Sequence, residues 1–202
     1  GRALREKEGE PTSVRRARVR QDFLANLEQS KLVLDTKIDG FLASTHLWAG
    51  EAVYHNEPIQ FVYVSSRQAI DPGAAVPGYA ISNWAVLQLP KVLKVNLGKD
   101  ADLVHCFSLM FPFIRTSMTD EFANNKKVFG RWQPRMLETS EMAEAFMALL
   151  SRPITETDNG TFELMVEAAK GNSQAIDLTW KHVKFNLVEE SMEWSSDNPL
   201  RF

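Results

Sequence analysis

The chain has 202 residues, of which 44% are hydrophobic and 24% are charged, and its formal net charge is −3. This composition is ordinary for a folded protein and excludes a chain that is disordered throughout. No apolar run reaches the roughly 18 residues that a membrane-spanning helix needs. The single cysteine, Cys106, cannot form a disulfide within the chain. We therefore expect the cytoplasm or another reducing intracellular compartment, with neither a membrane nor a disulfide-linked partner.

The N-terminal region is the most basic part of the chain, with seven basic and three acidic side chains in residues 1–20. Residues 1–11 are charged and lack apolar periodicity, which predicts a mobile arm. Thr12 or Ser13 can cap a helix that extends to about Gln29. Because the apolar positions of this helix lie mostly in its second half, we expect its first half to expose its arginines to solvent.

Short runs rich in β-branched and aromatic residues follow this helix. They are separated by pairs and triplets that are typical of turns, such as Asp39-Gly40, Ala49-Gly50 and Asn56-Glu57-Pro58. The pattern predicts a small antiparallel β element within about 31–66. The predicted strands are Lys31–Asp35, Phe41–Trp48, Ala52–His55 and Ile59–Ser65.

A loop rich in proline and glycine is predicted at 67–79, and helical signals dominate from there to about 194. Asp100 can cap a helix that ends at Pro112. The clearest helix begins at Thr139 or Ser140, because apolar residues then recur at spacings of three and four. The apolar residues on one face of this helix are Met142, Ala145, Phe146, Leu149 and Leu150.

Two later segments complete the predicted bundle. A second stripe, formed by Phe162, Met165, Val166 and Ala169, predicts another helix. The segment 174–190 fits either a helix, which its length favours, or two short strands. Together these elements predict an α+β fold that is mostly α. It consists of a basic N-terminal arm and helix, a small antiparallel β element and a bundle of about five or six helices, in a single globular domain over residues 12–202.

The segment 126–135 combines cations with aromatic side chains, and it contains Gly130 and Pro134, which prevent a continuous helix. Cations neutralise phosphates, and exposed rings stack on unpaired bases, so the segment is suited to nucleic acid. The alternative is that Phe129 and Trp132 are anchors of the core. With the basic helix, the predicted nucleic-acid-binding residues are Arg15, Arg16, Arg18, Arg20, Lys126, Lys127, Phe129, Arg131, Trp132 and Arg135.

Motifs for catalysis, metals or nucleotides are weak in this chain. His46, Glu51 and His55 have a spacing that matches no standard zinc site. Asp35-Thr36-Lys37 offers the D-x-K of some metal-dependent nucleases, but such a short pattern often arises by chance. The sequence contains neither G-x-x-x-x-G-K nor G-x-G-x-x-G, the two glycine-rich phosphate-binding motifs. We therefore predict no catalytic residue, no metal site and no cofactor.

Three functions remain open. The first is a non-enzymatic structural protein of the nucleocapsid or coat type that binds nucleic acid, RNA rather than DNA, and associates with copies of itself. Its basis is the basic arm, the basic-aromatic segment and an acidic C-terminal stretch. The second is an adaptor or a subunit of a larger complex that does not bind nucleic acid. The third is a metal-dependent hydrolase or nuclease that uses Asp35, Lys37, His46, Glu51 or His55.

Overall fold

The computed structural model describes residues 9–71, 77–120, 135–169 and 176–183. Helices α1 and α2 follow one another without a break, joined by a π-helical turn at Asp35–Asp39. The helices are α1 (Thr12–Leu34), α2 (Gly40–His55), α3 (Pro77–Leu97), α4 (Thr139–Leu150) and the single turn α5 (Ile154–Thr157). The strands are β1 (Ile59–Ser66), β2 (Val104–Phe111), β3 (Thr161–Ala168) and β4 (Ile176–His182).

The four strands form one sheet in the order β1-β2-β3-β4. β1, β2 and β3 are parallel to one another, whereas β4 is antiparallel to β3. Parallel neighbours need a crossover between them, and α3 supplies it between β1 and β2. The carboxyl ends of the three parallel strands therefore lie at one edge of the sheet.

Both faces of the sheet are covered, as the alternate residues of β2 show. Cys106 Sγ donates to the carbonyl of Pro90 in α3 at 3.6 Å, and Ser108 Oγ donates to that of Val86 at 3.2 Å. On the opposite face, Phe107 packs in a cluster that contains Leu149 of α4. A mainly parallel sheet with helices on both faces is an α/β architecture. The predicted α+β fold with a bundle of five or six helices is therefore wrong.

The incorrect predictions for β2 and β3 have a common physical cause. Val104 and the five residues Cys106–Met110 are fully buried, and β3 is buried at five of its first six positions. A strand that is covered on both faces has a nearly continuous apolar run and loses the alternation that marks a strand at a surface. Such a run cannot be distinguished from a buried helix by periodicity alone.

The predicted β element is wrong in its first three strands, because the chain is helical from Thr12 to His55. The expected turn residues Gly40 and Gly50 lie inside the helical stretch, where each costs only about 1 kcal/mol relative to alanine. The helix ends at Asn56, whose φ of 55° is left-handed and terminates the hydrogen-bonded ladder. The turn predicted at Asn56-Glu57-Pro58 is therefore confirmed.

Other predictions are confirmed by the structure. The strand predicted at Ile59–Ser65 corresponds to β1, and the clearest predicted helix corresponds to α4. The capping residue of α4 is Glu138, which forms a capping box with Glu141, instead of the expected Thr139 or Ser140. For the segment 174–190, the favoured helix is wrong and the strand alternative is correct over Ile176–His182.

Some predicted segments fall outside the described residues, namely 1–8 of the predicted arm, 72–76 of the predicted loop and 184–202 at the C-terminus. Over the ranges that the structure does describe, none of the helices is long and apolar enough to cross a bilayer.

Candidate active site

A group of polar side chains lies where β1 ends and α3 begins. In open α/β sheets, ligands bind outside the carboxyl ends of the strands. β1 ends at Ser66 and α3 starts at Pro77, so the first turns of α3 belong to this edge. The hydroxyl of Ser65 donates a hydrogen bond of 2.9 Å to the backbone carbonyl of Asn83, which attaches α3 to the end of β1.

Asn83 is completely buried and connects three parts of the chain. Its side-chain oxygen Oδ1 accepts a hydrogen bond of 2.6 Å from Nζ of Lys37, in the π-helical turn. Its side-chain nitrogen Nδ2 donates to the backbone carbonyl of Tyr79, one helical turn earlier, at 2.7 Å. The side chain of Asn83 therefore joins Lys37 to the turn of α3 that carries Tyr79.

Lys37 is partly buried and is surrounded by neutral groups. Its Nζ lies 5.8 Å from the centre of the Tyr79 ring and 5.9 Å from that of Phe41, within the range of cation–π contacts. Among the residues described, no charged group acts on the pKa of this amine, and burial is the cause of its shift. Burial disfavours the ammonium form and lowers the pKa of Lys37 from 10.5 to about 8. Near neutral pH this amine can therefore both give up and accept a proton.

Two local features bring Lys37 to α3. The π-helical turn adds a residue to the helical ladder, a distortion that is frequent at functional sites. At Gly78 the backbones of α1 and α3 approach so closely that a Cβ atom would lie 2.5 Å from Cα of Ser30. The N–H of Gly78 also donates to Oγ of Ser30 at 3.0 Å. Only glycine allows this approach, and it places the end of α1 beside the first turn of α3.

Tyr79 is the member of the group that a ligand can reach, because 38% of its surface is exposed. A phenol donates a proton to a ligand oxygen or, as a phenolate, accepts one. The turn after β1 is fixed on the other side by Arg67, whose Nη1 lies 2.5 Å from the nearly buried carboxylate of Glu163 on β3. The combination of an accessible phenol, an amine that titrates near pH 8 and a rigid support is suited to proton transfer.

A second charged group lies at the opposite edge of the sheet, where β2 begins. Lys94, in the last turn of α3, places Nζ 2.9 Å from Oδ2 of Asp158, and His105 Nδ1 lies 3.4 Å from the same oxygen. The other oxygen of Asp158 accepts the N–H of Cys106 at 2.9 Å. Burial alone would raise the pKa of Asp158, but the hydrogen bonds from Cys106 and Lys94 hold it below its usual value.

Part of the predicted nucleic-acid site can be located. Arg15, Arg16, Arg18 and Arg20 lie on α1, and Arg18 forms hydrogen bonds of 2.7 and 2.9 Å with the carboxylate of Glu10. Arg135 is bound to Glu141 of α4 at 2.9 Å. Contact between these side chains and nucleic acid stays a prediction. The remaining candidates lie outside the described residues, and they are Lys126, Lys127, Phe129, Arg131 and Trp132.

The candidates for a metal site are not brought together. His46, Glu51 and His55 all lie on α2, where His55 Nε2 is 3.3 Å from Glu51 Oε2 and His46 Nδ1 contacts the carbonyl of Leu42. In the part of the chain that the structure describes, no three His, Cys, Asp or Glu side chains form a group that could hold an ion.

The sequence singled out Lys37, but as part of a D-x-K nuclease pattern, and it missed Tyr79 and Asn83. The D-x-K pattern needs a cluster of carboxylates, whereas the partner of Lys37 is the amide of Asn83. Tyr79 was assigned to a loop because Pro77 and Gly78 are typical of turns. Pro77 is instead the first residue of α3, a position that proline favours. The signal that could have identified the site is a strand followed by a loop and a helix, as in β1 and α3.

Comparison with known proteins gives matches in structure alone. No family model and no curated protein sequence matches the chain. A 4-hydroxyisoleucine dehydrogenase mutant complexed with NADH and succinate superposes with a TM-score of 0.59 and 18% identity, over 67% of this chain and 57% of that one. A short-chain type dehydrogenase/reductase from Mycobacterium ulcerans gives 0.58 and 22%, over 67% and 50%. For 3-hydroxyacyl-CoA dehydrogenase type-2 from Mycobacterium avium the values are 0.56 and 14%, over 81% and 60%.

These matches establish a Rossmann-like fold with a mainly parallel sheet, and the chain spans a little over half the length of the proteins it matches. They overturn the prediction of a non-enzymatic, RNA-binding protein of the nucleocapsid or coat type, because the similar structures are dehydrogenases and reductases. None of the structures named here is an adaptor or a nuclease, the two alternatives considered from sequence.

Proposed function

We propose that the protein is an oxidoreductase of the dehydrogenase/reductase type in which Tyr79 exchanges a proton with the oxygen of an alcohol or carbonyl substrate. The observation that carries this proposal is the exposed phenol of Tyr79 beside the partly buried amine of Lys37, at the carboxyl edge of a parallel sheet. Proteins of similar fold support it, since their structures are described as dehydrogenases and reductases in complex with NADH or NADPH.

The chemistry follows from the two side chains. When a carbonyl is reduced to an alcohol, its oxygen must take up a proton, and the phenol of Tyr79 would donate that proton. In the reverse direction, the Tyr79 oxygen would accept the hydroxyl proton. Lys37 Nζ lies 5.8 Å from the centre of the Tyr79 ring, and the pKa of about 8 lets this amine exchange protons near neutral pH.

A nicotinamide dinucleotide would supply or accept the hydride. The phosphates of such cofactors are bound by a glycine-rich first turn between a strand and a helix. This chain has no G-x-G-x-x-G, and the turn that follows β1 begins Ser66-Arg67-Gln68. These residues do not fit the phosphate-binding role, so we assign no residue of the chain to the dinucleotide.

The test compares two tyrosines that are both exposed. Tyr79→Phe removes only the hydroxyl at the site, and Tyr54→Phe removes the same atom from α2, where Tyr54 is 82% exposed. NADH and NADPH binding is measured from nicotinamide fluorescence. Turnover is then measured at 340 nm with a panel of secondary alcohols and their ketones. We expect Tyr79→Phe to lower kcat/KM by about 100-fold or more and Tyr54→Phe to leave it unchanged.

The proposal fails if neither dinucleotide binds to the purified protein. It also fails if Tyr79→Phe turns over substrate as fast as the unaltered protein.

A further inference from the structure

We infer that Asn83 is a positioning residue whose side chain holds the amine of Lys37 against the turn of α3 that carries Tyr79. Three hydrogen bonds support this assignment. Asn83 accepts from Lys37 through Oδ1, donates to the Tyr79 carbonyl through Nδ2 and accepts from Ser65 through its backbone carbonyl. The inference rests on the proposed function only for its consequence in catalysis.

The chemistry of an amide explains why asparagine is suited to this place. It offers an acceptor and a donor in a side chain that carries no charge. An aspartate would lack the donor for the Tyr79 carbonyl and would place an anion 2.6 Å from the amine. A leucine of similar size would lack both groups. Asparagine therefore holds the amine in place without fixing it as an ammonium ion.

Among the described residues, two factors act on the protonation of Lys37, namely its hydrogen bond to Asn83 and its burial. From α3, the titratable side chain beside it is that of Tyr79, and α2 contributes the ring of Phe41. Ser65 of β1, which does not titrate near neutral pH, reaches the site through the Asn83 carbonyl. Asp35 and Asp39 share the π-helical turn with Lys37, but both are exposed to solvent. Changing the side chain at 83 should therefore change the proton affinity of Lys37 directly.

The experiment measures the titration of Lys37 in the full chain without reference to activity. The protein is treated with trace acetic anhydride between pH 6 and 11, and acetylation of each lysine is quantified by peptide mass spectrometry. The variants are Asn83→Asp, Asn83→Gln and the matched control Asn96→Asp. Asn96 lies on the same helix, is exposed, and donates only to the Val92 carbonyl.

In the unaltered protein, acetylation of Lys37 should reach half its maximum near pH 8. Asn83→Asp should lower its acetylation at pH 8 by about fivefold or more, because an adjacent anion raises the pKa by about one unit or more. Asn96→Asp should change it by less than about twofold. Asn83→Gln, which keeps the amide but displaces it, should alter the acetylation of Lys37 while Lys91, exposed on α3, reacts as before.

Two results would overturn the inference. One is a folded Asn83→Asp protein in which Lys37 titrates as in the unaltered protein. If that variant does not fold, an unchanged Lys37 titration in Asn83→Gln has the same meaning.

Activity then separates this inference from the proposed function. If the oxidoreductase proposal is correct, the pH profile of the rate should move upward in Asn83→Asp with the titration of Lys37. A shifted titration in a protein that oxidises and reduces nothing would uphold the role of Asn83 and refute the proposed function. Turnover with an unshifted titration would do the reverse.

Discussion

Two lysines, Lys94 and Lys37, lie near opposite ends of helix α3, and their partners differ in charge. Near its last turn, Lys94 donates to the Ala101 carbonyl at 2.7 Å and forms an ion pair of 2.9 Å with Asp158. Near its first turn, Lys37 reaches α3 from the π-helical turn and meets a neutral amide and two aromatic rings. The first lysine has a compensating anion, whereas the second is partly buried and has none among the described residues.

The difference separates a structural contact from a candidate for chemistry. A partly buried ion pair gives its lysine a compensating anion and joins elements of the fold, here the end of α3 and the turn between α5 and β3. A buried lysine with a neutral partner keeps a lowered pKa, which costs stability but permits proton exchange near neutral pH. The edge of the sheet that carries Lys37 is also the edge where ligands bind in α/β folds.

The largest effect on stability is expected from Asp158→Asn. This change keeps an acceptor for the Cys106 N–H but leaves the charge of Lys94 uncompensated, at a cost of about 3 kcal/mol near pH 7. The folded pKa of Asp158 is depressed, so its contribution is present above pH 3.8 and is lost as the pH falls through the lower folded value. Urea unfolding should therefore show a difference from the unaltered protein that is large at pH 7 and shrinks as the pH falls below the usual pKa range of aspartate.

The control for this prediction is Glu28→Gln, which breaks the exposed pair between Glu28 and Lys31. It should change the free energy of unfolding by less than about 0.5 kcal/mol. An Asp158→Asn protein as stable as this control would show that Lys94 does not need its anion.

A smaller effect on stability, in a higher pH range, is expected for Lys37. Its pKa is about 8 in the folded protein and 10.5 in the reference state, so the unfolded chain binds more protons between these values. Stability should therefore rise with pH through this window, by about 2 kcal/mol from pH 7 to pH 10 relative to Lys37→Met. The comparison with the variant removes the contributions of the other titrating groups, such as Tyr63 and Cys106. If the two proteins have parallel stability curves, Lys37 is not desolvated.

The smallest effect concerns the backbone approach that brings Lys37 to α3. In Gly78→Ala the new Cβ would collide with the backbone at Ser30, which should cost about 1 to 2 kcal/mol. Gly50→Ala on α2 meets no atom within 4 Å, and it should stabilise the protein by up to about 1 kcal/mol. Thermal unfolding of both variants measures the difference. Equal melting temperatures would mean that α1 and α3 are not closely packed.

Elements at the surface of the molecule were easier to predict from sequence than those inside it. α4 packs one face on the sheet and exposes the other, so its apolar stripe was read correctly. β2 has no such contrast, because fully buried residues point to both faces. Only the place of this apolar segment between β1 and β3 makes it a strand.

The candidate site was largely hidden in the sequence for a related reason. Lys37 and Asn83 are 46 positions apart, and no motif of local spacing connects them. Tyr79 and Asn83 are one helical turn apart, but that spacing has meaning only once α3 is known to start at Pro77. The ten residues predicted to bind nucleic acid were instead recognised by composition, which needs no tertiary information.

By itself the sequence determined properties that depend on composition and on local rules. These are a folded chain, an amphipathic α4 and the turn at Asn56, where a left-handed residue and the following Pro58 end a helix. The tertiary structure decided the sheet and the site. A buried apolar run becomes a strand only when neighbouring strands satisfy its backbone hydrogen bonds, and Lys37 has a lowered pKa only because packing removes it from water.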